Sequence, residues 1–421
     1  MDGACTVYGY DAYPNNPVAL LKDRPSNCLS NHDYLIARRC FFFDLNPYAG
    51  EKASDDPAQA NGYASVDVDN QTMLKIFKRR FERANGSMGQ LMGFPPWWLK
   101  YTDHNGQASK PGTWIEWLFT EYISCYNLAK EADAAHPYSM TNGSAYYKYI
   151  PKQSSYDNNF EEYYQDSGLS YNSSTYYYTI YLGDYDSSAW LKKYVYDFWM
   201  QKDRVRGQLP LTWCFNPNLS NRVPMVFDYI YENKYANEFI AAGDSGAGYV
   251  MPSGLLSGTT LSYSDYTRPA ENGDGTDVWV AYCKKFYERF DIKATGFIIN
   301  GDNSYSSKIY SMYNQFSTMG SLHNGYSVSK MGTYQGVPYI YCHNGISDTT
   351  DPYTLYSHAR YSSGGYKFSA FRTICLSPTK IQTIVNNFDA YAAGRGIKTQ
   401  YVELYSFLKL AKESGRGATL R

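Results

Sequence analysis

The chain has 421 residues, 19% of them charged, with a formal net charge of −1. That balance speaks against a phosphate-backbone partner, which calls for clustered Lys and Arg, and against a polybasic grip on an anionic membrane surface. No run approaches the roughly 18 apolar residues of a membrane span, and the opening MDGACTVYGYDAYPNNP lacks the basic start and apolar stretch of a secretory signal, so the chain reads as intracellular or as beginning downstream of a removed segment.

The first 37 or so residues, with Asn15–Pro17 and Pro25, fit no repeating unit and read as an extension. Arg39–Leu45 is then a short apolar strand, and Gln71–Arg83 places Leu74, Phe77 and Phe81 at helical spacing. Gln90–Phe94 reads as the second strand. Thr113–Ala132 reads as a helix with Trp114, Trp117, Leu118, Tyr122 and Cys125 on one face. Tyr138–Asn142 is a third strand and Tyr176–Gly183 a fourth, followed by a helix over Ser188–Trp199. Leu211–Phe215 is the fifth strand, and Pro224, a favoured first-turn residue, opens the next helix. Phe239–Gly243 is the sixth strand, Thr276–Phe290 a helix, and Thr295–Asn300 the seventh strand; Val337–Cys342 and Phe368–Arg372 complete the series.

Strands alternating with helices imply parallel pairing through right-handed crossovers. Seven or eight such units favour closure into a (β/α) barrel over an open sheet. The expected boundaries are 1–37 for the extension, 38–412 for the barrel and 413–421 for a tail. Gly143–Thr175 and Ser245–Gly275 interrupt the pattern as long loops after strand ends, where barrel active sites are built.

The strand ends carry the chemistry. They run into Asp44, into Pro95-Pro96-Trp97-Trp98, into Asn142, into Gly183-Asp184-Tyr185-Asp186, into Asn216-Pro217-Asn218, into Gly243-Asp244-Ser245-Gly246 and into Asn300-Gly301-Asp302. Closure would gather them on one rim. Some have plainer readings: Asp186 or Ser187 as a helix cap, Asn218 and Asp302 as turn residues, one Trp of the pair as packing. Asp184 and Asp244 resist that treatment, because each follows an apolar strand and a Gly. Paired carboxylates at a barrel mouth suit glycoside hydrolysis, one as acid and the other as base or nucleophile. Asp184 and Asp244 are the expected pair, with Asp186 tuning Asp184 through like charge. Asp44, Asn142, Asn216, Asn218, Asn300 and Asp302 are expected to bind substrate hydroxyls. Trp97, Trp98 and Tyr249 are the expected sugar platforms. Tyr, at 46 residues, offers flat apolar faces with polar tips that suit carbohydrate.

Rival chemistries lack their motifs. There is no G-x-S-x-G elbow and no phosphate-cradling Gly loop, and the six His (His32, His104, His136, His323, His343, His358) show no close pair for a metal. No metal and no cofactor is expected. Eight Cys include no C-x-x-C; Cys40 and Cys214 read as buried thiols, and Cys5 and Cys28 could pair in an oxidising compartment.

Gly246-Ala247-Gly248-Tyr249-Val250-Met251-Pro252 resembles the signature of the GxGYxxP glycoside hydrolase family. FFFDLNP (41–47), GFPPWWLKYT (93–102), GDYDSSAWL (183–191), FNPNLSNRVPMVFDYIY (215–231) and GFIING (296–301) resemble it too. The resemblance implies a barrel related to glycosidases and deacetylases, a carbohydrate substrate, and a secreted, periplasmic or cell-surface setting. The alternatives are a non-catalytic glycan-binding protein on the same barrel and, with less support, a carbohydrate esterase or deacetylase.

Overall fold

The computed structural model of the protein describes residues 5–7, 40–43, 45, 47–50, 67–93, 115–131, 149–299, 305–325, 330–343, 345–361 and 367–420. The chain divides into two compact units. The first comprises Met1–Ile150, Ser187–Ala189 and Gly248–Tyr282, and the second Pro151–Asp186, Trp190–Ala247 and Cys283–Arg421.

The first unit holds a four-stranded sheet of β1 (Cys5–Val7), β2 (Phe41–Phe43), β3 (Gly89–Met92) and β4 (Leu128–Glu131), in the order β2-β1-β3-β4 and parallel throughout. Helix Val68–Arg83 buries Met73 and Phe77, four apart and therefore on one face. Phe77 packs edge-on to Phe43 and Phe119, in a core that also takes Leu91, Leu128 and Leu261. The expected helix over Thr113–Ala132 is shorter: Ile115–Ser124 is helical, Asn127 turns in the left-handed region, and Leu128–Glu131 is strand β4.

The second unit is the barrel. Its strands are β5 (Tyr176–Tyr185), β6 (Leu211–Phe215), β7 (Glu238–Asp244), β8 (Ala294–Ile298), β9 (Gly320–Gly325), β10 (Met331–Tyr334), β11 (Val337–His343) and β12 (Phe368–Ile374). Strands β5, β6, β7, β8, β9, β11 and β12 pair in that order, each parallel to the next, and β12 returns to β5, which closes a seven-stranded ring. Helices run between strands, among them Pro224–Asn233, with its proline in the first turn as expected, and Thr276–Arg289. Strand β10 forms an antiparallel hairpin with β11 outside the ring, and Ala418–Thr419 from the expected tail pairs with β10. The barrel wall is buried on both faces, as parallel sheets require: β5 is buried along its length except at Asp184. Inside, the ring of Tyr181 fills the lumen, where a side chain at Gly183 or Gly296 would collide with it.

The expected (β/α) barrel is present, but its membership is corrected. The runs at 39–45 and 90–94 supply β2 and β3 of the separate sheet, and the barrel begins at Tyr176, not near residue 38. The reason is physical: a strand–helix repeat pairs in parallel whether the sheet is open or closed, so local pattern cannot say which sheet a strand joins. Strand β9, reading GSLHNG, has no apolar run and was not expected. The loop 143–175 was expected at the barrel mouth. Its described part precedes β5 and packs under the opposite end, where Phe160 meets Phe239 and Tyr405 at ring centroid distances of 5.5 and 5.2 Å. Cys40 is half-buried, whereas Cys214 is buried as expected.

Candidate active site at the barrel mouth

Three successive strands deliver polar side chains to the C-terminal rim. Asp184 lies one residue before the end of β5, Asn216 directly follows β6, and Asp244 ends β7. These three residues therefore lie at the C-terminal ends of adjacent parallel strands. Asn216 is fully buried, and its Oδ1 accepts a 2.9 Å hydrogen bond from the Asp244 backbone N–H, which ties the ends of β6 and β7 together. Its Nδ2 has no partner among the described residues. Asn218 follows in a short 3-10 helix, buried, with its Oδ1 likewise unpartnered.

The rim is locally strained. Asp184 (φ 67°), Ser245 (φ 58°) and Cys375 (φ 49°) all occupy the left-handed region that L-residues avoid. Each is held by its neighbours. The Ser245 backbone N–H donates to Phe297 O at 2.7 Å, its Oγ accepts from the Ile299 N–H at 3.1 Å, and its carbonyl accepts from the Tyr313 hydroxyl at 2.9 Å. The β5–β6 register slips between Leu182 and Tyr185, a bulge-like irregularity of the kind that re-aims side chains at functional rims.

Arg372 on β12 is the residue that sequence reasoning missed. Its Nη2 donates to Asp184 Oδ1 at 2.5 Å. Its guanidinium stacks 4.7 Å from the centroid of Phe297 on β8, the register partner of Asp244. Burial disfavours its charge, but Asp184 and then Asp244 outweigh that and hold it above the ordinary arginine range. The signal was present in the sequence: FSAFR is an apolar run that ends in a charged residue, just as the Asp-ended runs do. Tyr181, register partner of Arg372, is fully buried with its hydroxyl unpartnered among the described residues. Burial first, and then Asp244, push that hydroxyl far above the usual tyrosine range.

Other expectations fare differently. Asp186 is half-buried in the segment after β5. Asp44, Trp97, Trp98, Asn142, Asn300 and Asp302 lie outside the described residues. Tyr249 belongs to the first unit and is only 3% exposed. Its backbone pairs both ways with Lys130, and the Lys130 ammonium sits 4.3 Å from its ring centroid. The ring therefore packs against Lys130 inside the first unit. The signature glycines have a structural basis, since Gly246 (φ 125°) and Gly248 (φ 127°) occupy conformations that other residues rarely adopt.

His343 and His358, far apart in sequence, do form a close pair, with ring centroids 3.7 Å apart. Burial, then His343, lower the His358 imidazole to about 4. Among the described residues no group of three or more His, Cys, Asp or Glu could hold a metal, and no helix is long and apolar enough to cross a membrane. A cavity of about 220 Å³ opens at the opposite, N-terminal end of the barrel, lined by Tyr163, Pro210, Gln400, Tyr401 and Glu403. Its carboxylate is committed to structure: Glu403 accepts from the backbone N–H groups of Tyr405 and Ser406 and from Thr212 Oγ1. The rim is therefore the better candidate for chemistry.

Residues 174–358 match the family described as "GxGYxYP putative glycoside hydrolase C-terminal domain". This chain carries Met251 where that name carries its second Tyr. The match starts two residues before β5 and runs through β11, so it covers most of the barrel. A solved structure described as a "putative hydrolase" from Bacteroides thetaiotaomicron VPI-5482 is similar to this chain at 16% identity, with a TM-score of 0.55 over 90% of this chain. This chain spans 63% of the length of that one. At that identity the likeness speaks to fold. No curated protein matches the chain.

Proposed function

We propose that this chain, with its GxGYxYP domain match over residues 174–358, is a glycoside hydrolase whose reacting groups are Asp184 and Asp244. The observation that carries the reading is two carboxylates from different strands, β5 and β7, at the C-terminal rim around one arginine. A rim of that kind is where barrel enzymes keep their chemistry. Carboxylates on separate strands can stand on either side of a bound sugar, which two residues of one loop cannot easily do. Asp184, ion-paired with Arg372, takes the side of the reaction that needs a charged carboxylate, as base or nucleophile. Asp244, at the end of β7, supplies the second carboxyl group of the pair. Asp186 adds a further negative charge close by, and Asn216 offers its unpartnered amide to a substrate hydroxyl.

The test is a broad glycan screen followed by Asp184→Asn and Asp244→Asn, which keep side-chain shape while removing the ionisable group. Each substitution is expected to lower turnover by about two to four orders of magnitude, the usual contribution of a positioned acid, base or nucleophile. Glycan binding, read by calorimetry, is expected to persist. Full activity in both variants removes the assignment. Binding without cleavage of any glycan in the screen favours a lectin-like protein on this barrel.

A further inference from the structure

We propose that Arg372 is a positioning residue at the barrel mouth that holds the Asp184 carboxylate in place and supplies the positive charge that Asp184 and Asp244 share. The inference rests on the preceding reading only for what the two carboxylates do, not for how they are held.

Geometry points to this role. Arg372 starts on β12, bonds Asp184 on the adjacent strand β5 at 2.5 Å, and reaches the ring of Phe297 on β8, three strands round the barrel. Phe297 is the register partner of Asp244, so the guanidinium pairs with Asp184 on one strand and lies against a ring on the strand beside Asp244. Its hydrogen bonding differs from that of Arg268 and Arg206. Arg268 spends Nε, Nη1 and Nη2 on Gly273 O, Ser124 O, Gly254 O, Asn127 Oδ1 and Asn272 O. Arg206 grips Glu238 with two nitrogens and also reaches Asn233 O. Arg372 Nε has no partner among the described residues. Its head group is fixed by a carboxylate and a ring, not by a set of backbone carbonyls.

The other titratable groups around it are silent near neutral pH. Among the described residues they are Tyr181 on β5, Cys342 on β11, and Cys375 just after β12. Burial holds all three protonated well above their ordinary ranges. Asp184, Asp244 and, further along the same loop, Asp186 are the groups left to answer the loss of the cation.

The experiment compares the full chain with Arg372→Gln, Arg372→Lys and the double variant Asp184→Asn/Arg372→Gln, by thermal unfolding from pH 5 to pH 8. Arg372→Gln leaves the carboxylates unbalanced, so its Tm is expected to fall by several degrees at pH 8 and by less than half as much at pH 5, where the carboxylates can take up protons. Arg372→Lys keeps most of the wild-type Tm. The double variant loses most of the pH dependence. A deficit equal at all pH values marks a packing role and overturns the proposal, as does the absence of any deficit. On a glycan that is hydrolysed, the acidic limb of kcat/KM is expected to move up by about one pH unit in Arg372→Gln and to return in Arg372→Lys. If nothing is hydrolysed, the unfolding series still decides the role of Arg372, so its failure and the failure of the hydrolase reading are told apart.

Discussion

The two ends of the barrel treat several polar groups differently. At the N-terminal end a cluster around Asn158, Tyr405 and Glu403 is matched. Asn158 Nδ2 donates to Ile240 O and Asp291 O, and its Oδ1 accepts from the Ile240 N–H. Tyr405 donates to Ile240 O and accepts from the Lys293 N–H, and Glu403 has three donors; Ser406 Oγ is the exception in this group. At the mouth, Tyr181, Asn216, Asn218 and Arg372 each keep a buried polar atom without a partner among the described residues, beside three non-glycine residues at positive φ. Unsatisfied buried groups each cost about 1–3 kcal/mol, and strained residues a similar amount, so the mouth carries a real cost. Folding alone does not ask for that cost. The difference is the one expected if the N-terminal end serves stability and the mouth serves the proposed chemistry.

The largest effect expected from breaking this division is at the matched end. Arg206 and Glu238, with side chains 4% and 0% exposed, form a buried two-point ion pair at the start of β7. Trp213 Nε1 and the Tyr235 N–H also donate to Glu238. Arg206→Leu strands a buried carboxylate and should cost about 3–5 kcal/mol, measured by chemical denaturation. Arg206→Leu with Glu238→Leu should recover much of it, because the second change removes the stranded charge. If the single variant unfolds no more readily than wild type, the N-terminal end is not the stability end.

A smaller effect is expected halfway up the wall. His323 on β9 is fully buried among the rings of Tyr305, Tyr339 and Tyr341, and neither ring nitrogen has a partner among the described residues. Burial lowers its imidazole from 6.5 to about 3, so the folded protein holds it neutral. The stability this group carries is therefore complete above pH 6.5 and is lost as pH falls from there toward 3. Between pH 7 and pH 5 the loss amounts to about 2 kcal/mol. His323→Phe should flatten the pH dependence of unfolding by that amount over the same interval. An unchanged slope would mean that water or another group reaches the ring.

How much of this was legible follows from particular residues. Strands β5 to β8 could be read because each is a nearly unbroken apolar run buried on both faces. Asp184, Asn216 and Asp244 could be read because each closes such a run. Arg372 obeys the same rule, but a basic residue at a strand end is not one of the carboxylates that the expected chemistry calls for. Strand β9 carries Ser321, His323 and Asn324, fully buried polar residues that no pattern of hydrophobicity reveals. The mixing of β2 and β3 into the barrel arose because neighbours in a sheet are chosen by tertiary contact: Cys5–Val7, over thirty positions upstream, slots between them. The surroundings of Tyr249 were hidden for a related reason. A Gly-rich loop reads as exposed, yet its backbone completes pairing with Lys130 more than a hundred positions away.

The smallest effect tests the mouth itself. Cys375 sits at φ 49° directly after β12, with its thiol 3.5 Å from Asp184 O and 3.7 Å from Gly183 O. Glycine adopts that backbone without the cost of about 1–2 kcal/mol that a side chain incurs, but it also has more freedom to lose on folding, about 0.5–1 kcal/mol. The weak thiol contacts are lost as well. Cys375→Gly should therefore change stability by less than about 1 kcal/mol, with a gain expected. Turnover on a responsive glycan should nevertheless fall a few-fold, because the thiol is one of the groups that fix the Asp184 backbone. A gain in stability with a loss in rate is the trade expected of an end kept for a ligand. Loss of more than about 1 kcal/mol would show instead that the thiol packs as structure, and that strain at this strand end serves the fold.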